Sequence, residues 1–386
     1  MPEPIYFYDT TLRDGEQTPY VHFSPDQKLI LAYQLQKLGI DIIEVGFPAA
    51  SEAEMESVQK VAAVIRESRI AALARCRTDD VELAAKALKK AKKARISIVL
   101  PISNRHLKHS LEIDRATAEE WIDKVVRHAK NLCDDIEFIA TDATRTDYKH
   151  VLRAHSIAAA AGANIVVVAD TVGVAIPNRF QRQIERLITD LRSNFPKIQV
   201  GIHCHNDFGL ATANSLSGLL AGAAQVEGTI NGLGERAGNA ALEEIAVLMR
   251  YHKRIFQRRC QIRTREILAT SLIVSEYSNI GVQPNKALVG RHAFLHAAGM
   301  HQQAMLRDPL TFEPFDPEIL GSEAALEDRI IFGKFLGRNG LKAILEQDGI
   351  ELSDDKLDAL VEHVRTAISE HRTVLRESLH EIIQQL

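Results

Sequence analysis

Eight short runs of β-branched and apolar residues recur along the first two-thirds of the chain, each followed by a longer stretch with helical apolar spacing. They are IYFYDTTL (5–12), GIDIIEVGF (39–47), RIAALARC (69–76), RISIVLPIS (95–103), DIEFIATDA (135–143), NIVVVADTV (164–172), IQVGIHCH (198–205) and AQVEGTINGLG (224–234). Repeated β-then-α units leave few solutions, because a parallel strand needs a crossover and eight such strands can close without exposed edges. The pattern predicts an α/β fold, a TIM (β/α)8 barrel, with an open doubly wound sheet as the alternative. Helix starts are marked by Ser24 followed by Pro25 and by capping-box patterns SEAE at 51 and TAEE at 117. Inside the first helical stretch Leu29, Ala32, Leu35 and Leu38 keep a helical spacing.

The alternation stops near residue 253, and the expected organisation is a barrel over 1–255, a helical linker over 256–289 and a smaller, mainly helical C-terminal subdomain over 290–386. The lysine-rich KALKKAKKA (86–94) reads as the solvated face of a barrel helix. A net charge of -4 offers no basic field of the kind that holds nucleic acid. Cys76, Cys133, Cys204 and Cys260 form no CxxC pair, so neither a disulfide framework nor a cysteine zinc site is indicated. No signal-peptide pattern opens the chain, and no apolar run nears the roughly 18 residues of a membrane span. The expectation is a cytoplasmic protein with no membrane or nucleic-acid partner.

Barrel enzymes keep their chemistry at the C-terminal ends of the strands. Here polar residues collect at those ends: Asp9, Thr10, Thr11, Arg13 and Asp14 after the first strand, Glu44 in the second, TDATRTD after the fifth, ADT after the sixth and HCHND after the seventh. In HCH, residues i and i+2 share a strand face, so His203 and His205 project together while Cys204 turns away. Two imidazoles so placed can bind one divalent ion with a carboxylate and an amide or water. A bare HxH at a strand end is otherwise a pair of surface histidines; the acidic first strand end favours the metal reading. NGLGERAGNAA (231–241) lacks dinucleotide spacing, and Asn239 in it reads either as facing the mouth or as a helix cap.

Together DTTLRDGEQ, IEVGFPAAS, ADTVG, HCHNDFGLATANSL and NGLGERAGNAALEE, in this order, resemble the isopropylmalate synthase and homocitrate synthase family of metal-dependent, acyl-CoA-condensing barrels. The resemblance implies Claisen condensation of acetyl-CoA with a 2-oxo acid, with isopropylmalate synthesis favoured by EVGFPAAS. The alternatives are homocitrate- or citramalate-type condensation, a related carbon-carbon lyase, or a metal-binding paralogue without turnover. Lyases that cleave hydroxymethylglutaryl-CoA carry a loop cysteine where this chain has GLGERAGN, which argues against that branch. Carried over by position, Asp14, His203, His205 and Asn239 would hold the divalent ion (Mg, Mn or Zn). Arg13 would face the keto oxygen, Thr171 the oxo-acid carboxylate, and Glu44, His106, Thr141 and Arg145 would line the substrate pocket. His301, in AGMHQQA, would be the catalytic histidine, reaching a partner's barrel in a homodimer.

The resemblance breaks at Thr141, where the family carries a glutamate, and at Phe312, where it carries a tyrosine. Asp142 is expected not to replace the glutamate, since neighbours on a regular strand face opposite ways unless a bulge intervenes. Longer isopropylmalate synthases end in a domain that binds the feedback amino acid; with the chain ending at Leu386, no leucine inhibition through such a domain is expected.

Overall fold

The computed structural model describes residues 3–333, 335–372, 374 and 376–385. The eight expected strands are all present and parallel: β1 Tyr6–Asp9, β2 Ile42–Gly46, β3 Arg69–Arg75, β4 Ala94–Pro101, β5 Ile136–Thr141, β6 Ile165–Asp170, β7 Gln199–Cys204 and β8 Gln225–Gly228. They form a closed barrel in chain order, β8 pairing with β1. The fold is therefore a TIM (β/α)8 barrel, and the open sheet is excluded. Eight helices alternate with the strands: α1 Pro25–Leu38, α2 Glu52–Val64, α3 Thr78–Leu88, α4 Arg115–Lys130, α5 Tyr148–Ala161, α6 Pro177–Arg192, α7 Ala211–Leu220 and α8 Leu242–Tyr251.

Observed strands are shorter than the apolar runs, because the chain leaves the ladder once its polar residues reach the barrel rim. β1 stops at Asp9, so Thr10 to Asp14 form a tight turn in which the amides of Arg13, Asp14 and Gly15 donate to the Thr10 carbonyl. At α1 the capping box is complete: Ser24 Oγ accepts from the Gln27 amide, and the Gln27 side chain accepts from the Ser24 amide. The start expected at Thr117 is corrected. The Asp114 carboxylate accepts from the Thr117 amide at 2.8 Å and caps α4 three residues earlier, which places Thr117 inside the first turn.

By contact the chain divides into Met1–Gly281 and Val282–Leu386. Residues 256–281, expected as linker, thus fall within the barrel unit; they include α9 (Ile267–Ser278), whose Thr270 hydroxyl accepts from Gln34 Nε2 of α1 at 2.9 Å. The second unit contains α10 (Gly299–Met305), α11 (Arg338–Gln347) and α12 (Asp354–Ser369). Leu341, Ile344 and Leu345 pack there with Leu357, Leu360, Val361 and Val364 in a separate apolar core. No helix among the described residues is long and apolar enough to cross a membrane.

The barrel interior is only partly apolar. Leu73, Ile139, Val167 and Ala169 form one apolar cluster. Beside it runs a dry polar column built from inward residues of neighbouring strands. Tyr8 and Ser97 share a hydrogen bond of 3.0 Å, and Ser97 Oγ donates to Glu137 Oε2 at 2.7 Å. Gln225 Nε2 donates to Glu137 Oε1 at 2.6 Å and to Glu227 Oε1 at 2.9 Å, while Arg95 Nη1 donates to Gln225 Oε1 at 2.6 Å.

Candidate metal centre and active site

Strand closure brings the rim residues of β1, β2, β7 and β8 together. Because β8 lies between β7 and β1, with His203 opposite Glu227 and Tyr8 opposite Glu227, the first and seventh strand ends share one sector of the mouth. Asp14, His203 and His205 each offer one ligand atom, all within 4.8 Å of one another, the one such group among the described residues. Asp14 Oδ2 lies 3.6 Å from His203 Nε2 and 3.9 Å from His205 Nε2, and the two Nε2 atoms are 3.3 Å apart. Two nitrogens bound to one ion at about 2.1 Å each would stand about 3.0–3.4 Å apart, so the imidazoles are already at chelating distance.

The donor chemistry fits a divalent cation. His205 Nδ1 and Asn239 Oδ1 are buried with no hydrogen-bond partner. Asn239 spends its other end on the site, Nδ2 donating to Asp14 Oδ2 at 2.7 Å and to the Leu233 carbonyl at 2.9 Å. It is not a helix cap: α8 begins at Leu242 after Ala241. Its placement depends on the glycine-rich loop. Gly238 has φ +84°, and a Cβ there would collide with the Gly232 carbonyl oxygen, so the loop folds tightly over Asn239 only with glycine at 238.

Electrostatics suit a cation as well. Burial works to raise the Asp14 carboxyl, but Arg13 and then His203 and His205 outweigh it and hold Asp14 down at about 2. Burial keeps both imidazoles neutral, lowering His203 and taking His205 down to about 4, as metal ligation requires. Cys204 is fully buried and its thiol is pushed up by burial, consistent with a small apolar filler. Arg13 joins the site to β2: Nη1 donates to Asp14 Oδ1 at 2.6 Å and Nε to Glu44 Oε2 at 2.7 Å, while Thr10 Oγ1 also donates to Glu44 Oε2 at 2.6 Å. Asp9, the last residue of β1, accepts from the Thr11 amide and hydroxyl, and burial pushes it up to about 7.

A second group forms at the ends of β4, β5 and β6. Thr141 ends β5, and Asp142 leaves the strand in the left-handed region at φ 59°, so the strict alternation assumed for a regular strand ends there. The fully buried Asp142 carboxylate accepts two hydrogen bonds from Arg145, at 2.7 and 2.9 Å, and lies 4.0 Å from His106 Nε2. Its amide donates to Thr171 Oγ1 at 2.7 Å. His106, Thr141, Asp142, Arg145 and Thr171 are thus tied into neighbouring loops, and Thr171 connects them onward through its carbonyl, which accepts from Arg236 Nη2 at 2.8 Å. Arg236 also grips Asp207 with two hydrogen bonds. His301 lies on α10 in the second unit, its ring stacked on Phe312 with centroids 3.9 Å apart.

Sequence reasoning missed Glu227, whose Oε2 is 3.1 Å from His203 Nδ1, and the Asp207–Arg236 pair. The signal for Glu227 was present: Gln225 and Glu227 are polar at i and i+2 in a run expected to be buried on both faces.

Residues 4–274 match the HMGL-like family, and residues 288–372 match the homocitrate synthase post-HMGL domain-like family. The chain is 41% identical to 2-isopropylmalate synthase 1 of Caldanaerobacter subterraneus subsp. tengcongensis, covering 99% of this chain and 95% of that one. It is 40% identical to the 2-isopropylmalate synthase of Pyrococcus abyssi, over 99% of this chain and 78% of that one. Among solved structures, the HMG-CoA lyase of Bacillus subtilis superposes with a TM-score of 0.60 at 21% identity, covering 73% of this chain and 97% of that one. The carboxyl transferase domain of Rhizobium etli pyruvate carboxylase superposes with a TM-score of 0.51 at 17% identity, covering 71% and 46%. At these identities the structural likeness speaks for the fold alone.

Proposed function

This chain belongs to the HMGL-like family, in the branch of isopropylmalate and homocitrate synthases, and from that premise we propose that it is an acyltransferase that condenses acetyl-CoA with a 2-oxo acid. The product is a 2-hydroxy alkylmalate with release of CoA. Relatives that are 2-isopropylmalate synthases, matched over 99–100% of this chain, favour 3-methyl-2-oxobutanoate, the oxo acid left when acetate is subtracted from isopropylmalate, and hence a step in leucine biosynthesis.

The observation that carries the reading is the convergence of Asp14, His203 and His205 beside the Arg13 guanidinium. A divalent cation (Mg, Mn or Zn) held by Asp14, His203 and His205, with Asn239 alongside, would polarise the keto carbonyl of the oxo acid. Arg13 uses Nη1 and Nε on Asp14 and Glu44, which fixes the plane of the guanidinium and aims its remaining donors at the oxygen where negative charge develops. The Thr171 hydroxyl accepts from the Asp142 amide and so keeps its own proton to donate to the substrate carboxylate. His106 and Arg145, on either side of Asp142, would line the pocket with Glu44 and Thr141. His301 is the base in this reading: it takes a proton from the acetyl methyl, the carbanion adds to the keto carbon, the alkoxide gains a proton, and water cleaves the thioester to carboxylate and CoA thiol. Its delivery by a partner subunit makes the enzyme a homodimer.

Free CoA thiol released from acetyl-CoA is measured with a panel of 2-oxo acids and added Mg, Mn or Zn. Release with 3-methyl-2-oxobutanoate is expected. Silence with every acid while cation binding persists would replace the synthase with a metal-binding paralogue.

A further inference from the structure

The two histidines of the cation site are not equivalent. His205 Nδ1 is buried without a partner, whereas His203 Nδ1 faces Glu227 Oε2 at 3.1 Å. His203 and Glu227 are register partners on adjacent parallel strands, so their side chains leave the sheet on the same side by construction. We propose that Glu227 is a positioning residue for His203: it accepts the Nδ1 proton, so that Nε2 presents a bare lone pair to the cation, and the polar column below holds Glu227 in that role.

The column leaves Glu227 one assignment. Arg95 can only donate, so its 2.6 Å contact makes the Gln225 atom that receives it the amide oxygen. Gln225 Nε2 then points its two protons at Glu137 Oε1 and Glu227 Oε1. With Oε1 occupied from below, Oε2 is the oxygen that faces His203, and it accepts from Nδ1 once the carboxyl is ionised. Arg95 is anchored in turn by Asp135, whose Oδ2 lies 3.0 Å from its Nη2. The chain Asp135, Arg95, Gln225, Glu227, His203 runs through the lumen of the barrel to the ligand atom, and a carboxylate on the far nitrogen fixes both tautomer and ring orientation.

The substitution Glu227→Gln separates this role from packing, because the shape is kept. With Gln225 pinned by Arg95, the introduced side-chain amide would have to turn its oxygen toward Gln225 Nε2 and its N–H toward His203, driving the imidazole proton onto Nε2. The proposal rests on reading Asp14, His203 and His205 as a cation site, and its measurements are independent of turnover. In metal-free protein labelled with 15N-histidine, at about pH 9, above the value of about 8 to which burial and then the Glu44 charge push the Glu227 carboxyl, His203 is expected as the Nδ1–H tautomer in the wild type and as Nε2–H in Glu227→Gln. Cation affinity, from competition with a chromophoric chelator, is expected to fall about 10- to 100-fold in the variant. A wild-type His203 already protonated at Nε2 overturns the proposal even if the variant does not fold, and so does a folded variant with unchanged tautomer and affinity. A wild type that binds no cation overturns the site reading beneath it instead.

Discussion

Replacing Arg13 by methionine tests the centre of the site most directly, since one guanidinium neutralises two buried carboxylates. The variant removes the 2.6 Å bond to Asp14 and the 2.7 Å bond to Glu44. Glu44 keeps only Thr10, its Oε1 being without a partner already, and Asp14 keeps Asn239. Removing one partner of a buried ion pair costs about 3–5 kcal/mol, because the other charge stays in a dry site. Asp14 gives an independent figure. Its carboxyl is held at about 2 against an ordinary 3.8, which is worth on the order of 2 kcal/mol, and Arg13 is the largest of the contributions that lower it against burial. The sign follows: a depressed carboxyl stabilises the fold above 3.8 and loses that stabilisation as pH falls toward about 2. Arg13→Met should therefore unfold at a clearly lower urea concentration than wild type at pH 7, in metal-free protein, with the gap narrowing through the acid range. Arg13→Lys should fall between them, because one ammonium cannot span both carboxylates. Turnover in Arg13→Met should drop about 10²- to 10³-fold with the loss of a preorganised donor. Equal unfolding midpoints at pH 7, or a gap that stays constant from pH 7 to about pH 3, would refute the reasoning.

His203→Ala is expected to abolish turnover and weaken cation binding, while Cys204→Ala, altering only a buried filler, leaves both nearly unchanged and costs about 1 kcal/mol of stability; chelator competition and CoA release read the two, and equal damage would mean the strand faces are reversed. Gly238→Ala meets both a positive φ and the Gly232 carbonyl, so it should displace Asn239, destabilise the fold by more than about 1 kcal/mol and weaken cation binding; wild-type affinity in this variant would mean that Asn239 plays no part in the site. Mixing inactive His203→Ala and inactive His301→Ala subunits should recover activity by pairing an intact barrel with an intact second unit, and the absence of recovery in a mixed dimer verified by mass would show that each subunit works alone.

What was legible in the sequence follows from how far apart the interacting residues lie. Barrel strands are covered outside by helices and filled inside by one another, so β6 is buried at every position and reads as an unbroken apolar run. That is a local property, and all eight strands could be located from it. The HxH pair is local as well, because i and i+2 share a face whatever the rest of the chain does. The Thr117 start failed at the same short range, for a physical reason: Asp114 offers a carboxylate oxygen three residues earlier, within reach of the Thr117 amide.

The polar column is different, because polar residues at i and i+2 within a strand show a shared face but not whether that face meets water or a dry lumen. Glu137 in DIEFIATDA is a single acidic residue in an apolar run, which a strand with one wet face could also carry, and only closure of β8 onto β1 removes the water. Its partner Gln225 lies 88 residues away, and Asn239 lies 225 residues from the Asp14 it touches. Those contacts depend on strand register, and a shift of one residue would turn every inward side chain outward. The same register that places His203 opposite Glu227 therefore both assembles the cation site and supplies it with a carboxylate from the barrel's own interior. A charged residue in mid-strand of a predicted closed barrel is thus a pointer to the rim above it, since a dry lumen tolerates such a group only when it is hydrogen-bonded to its neighbours.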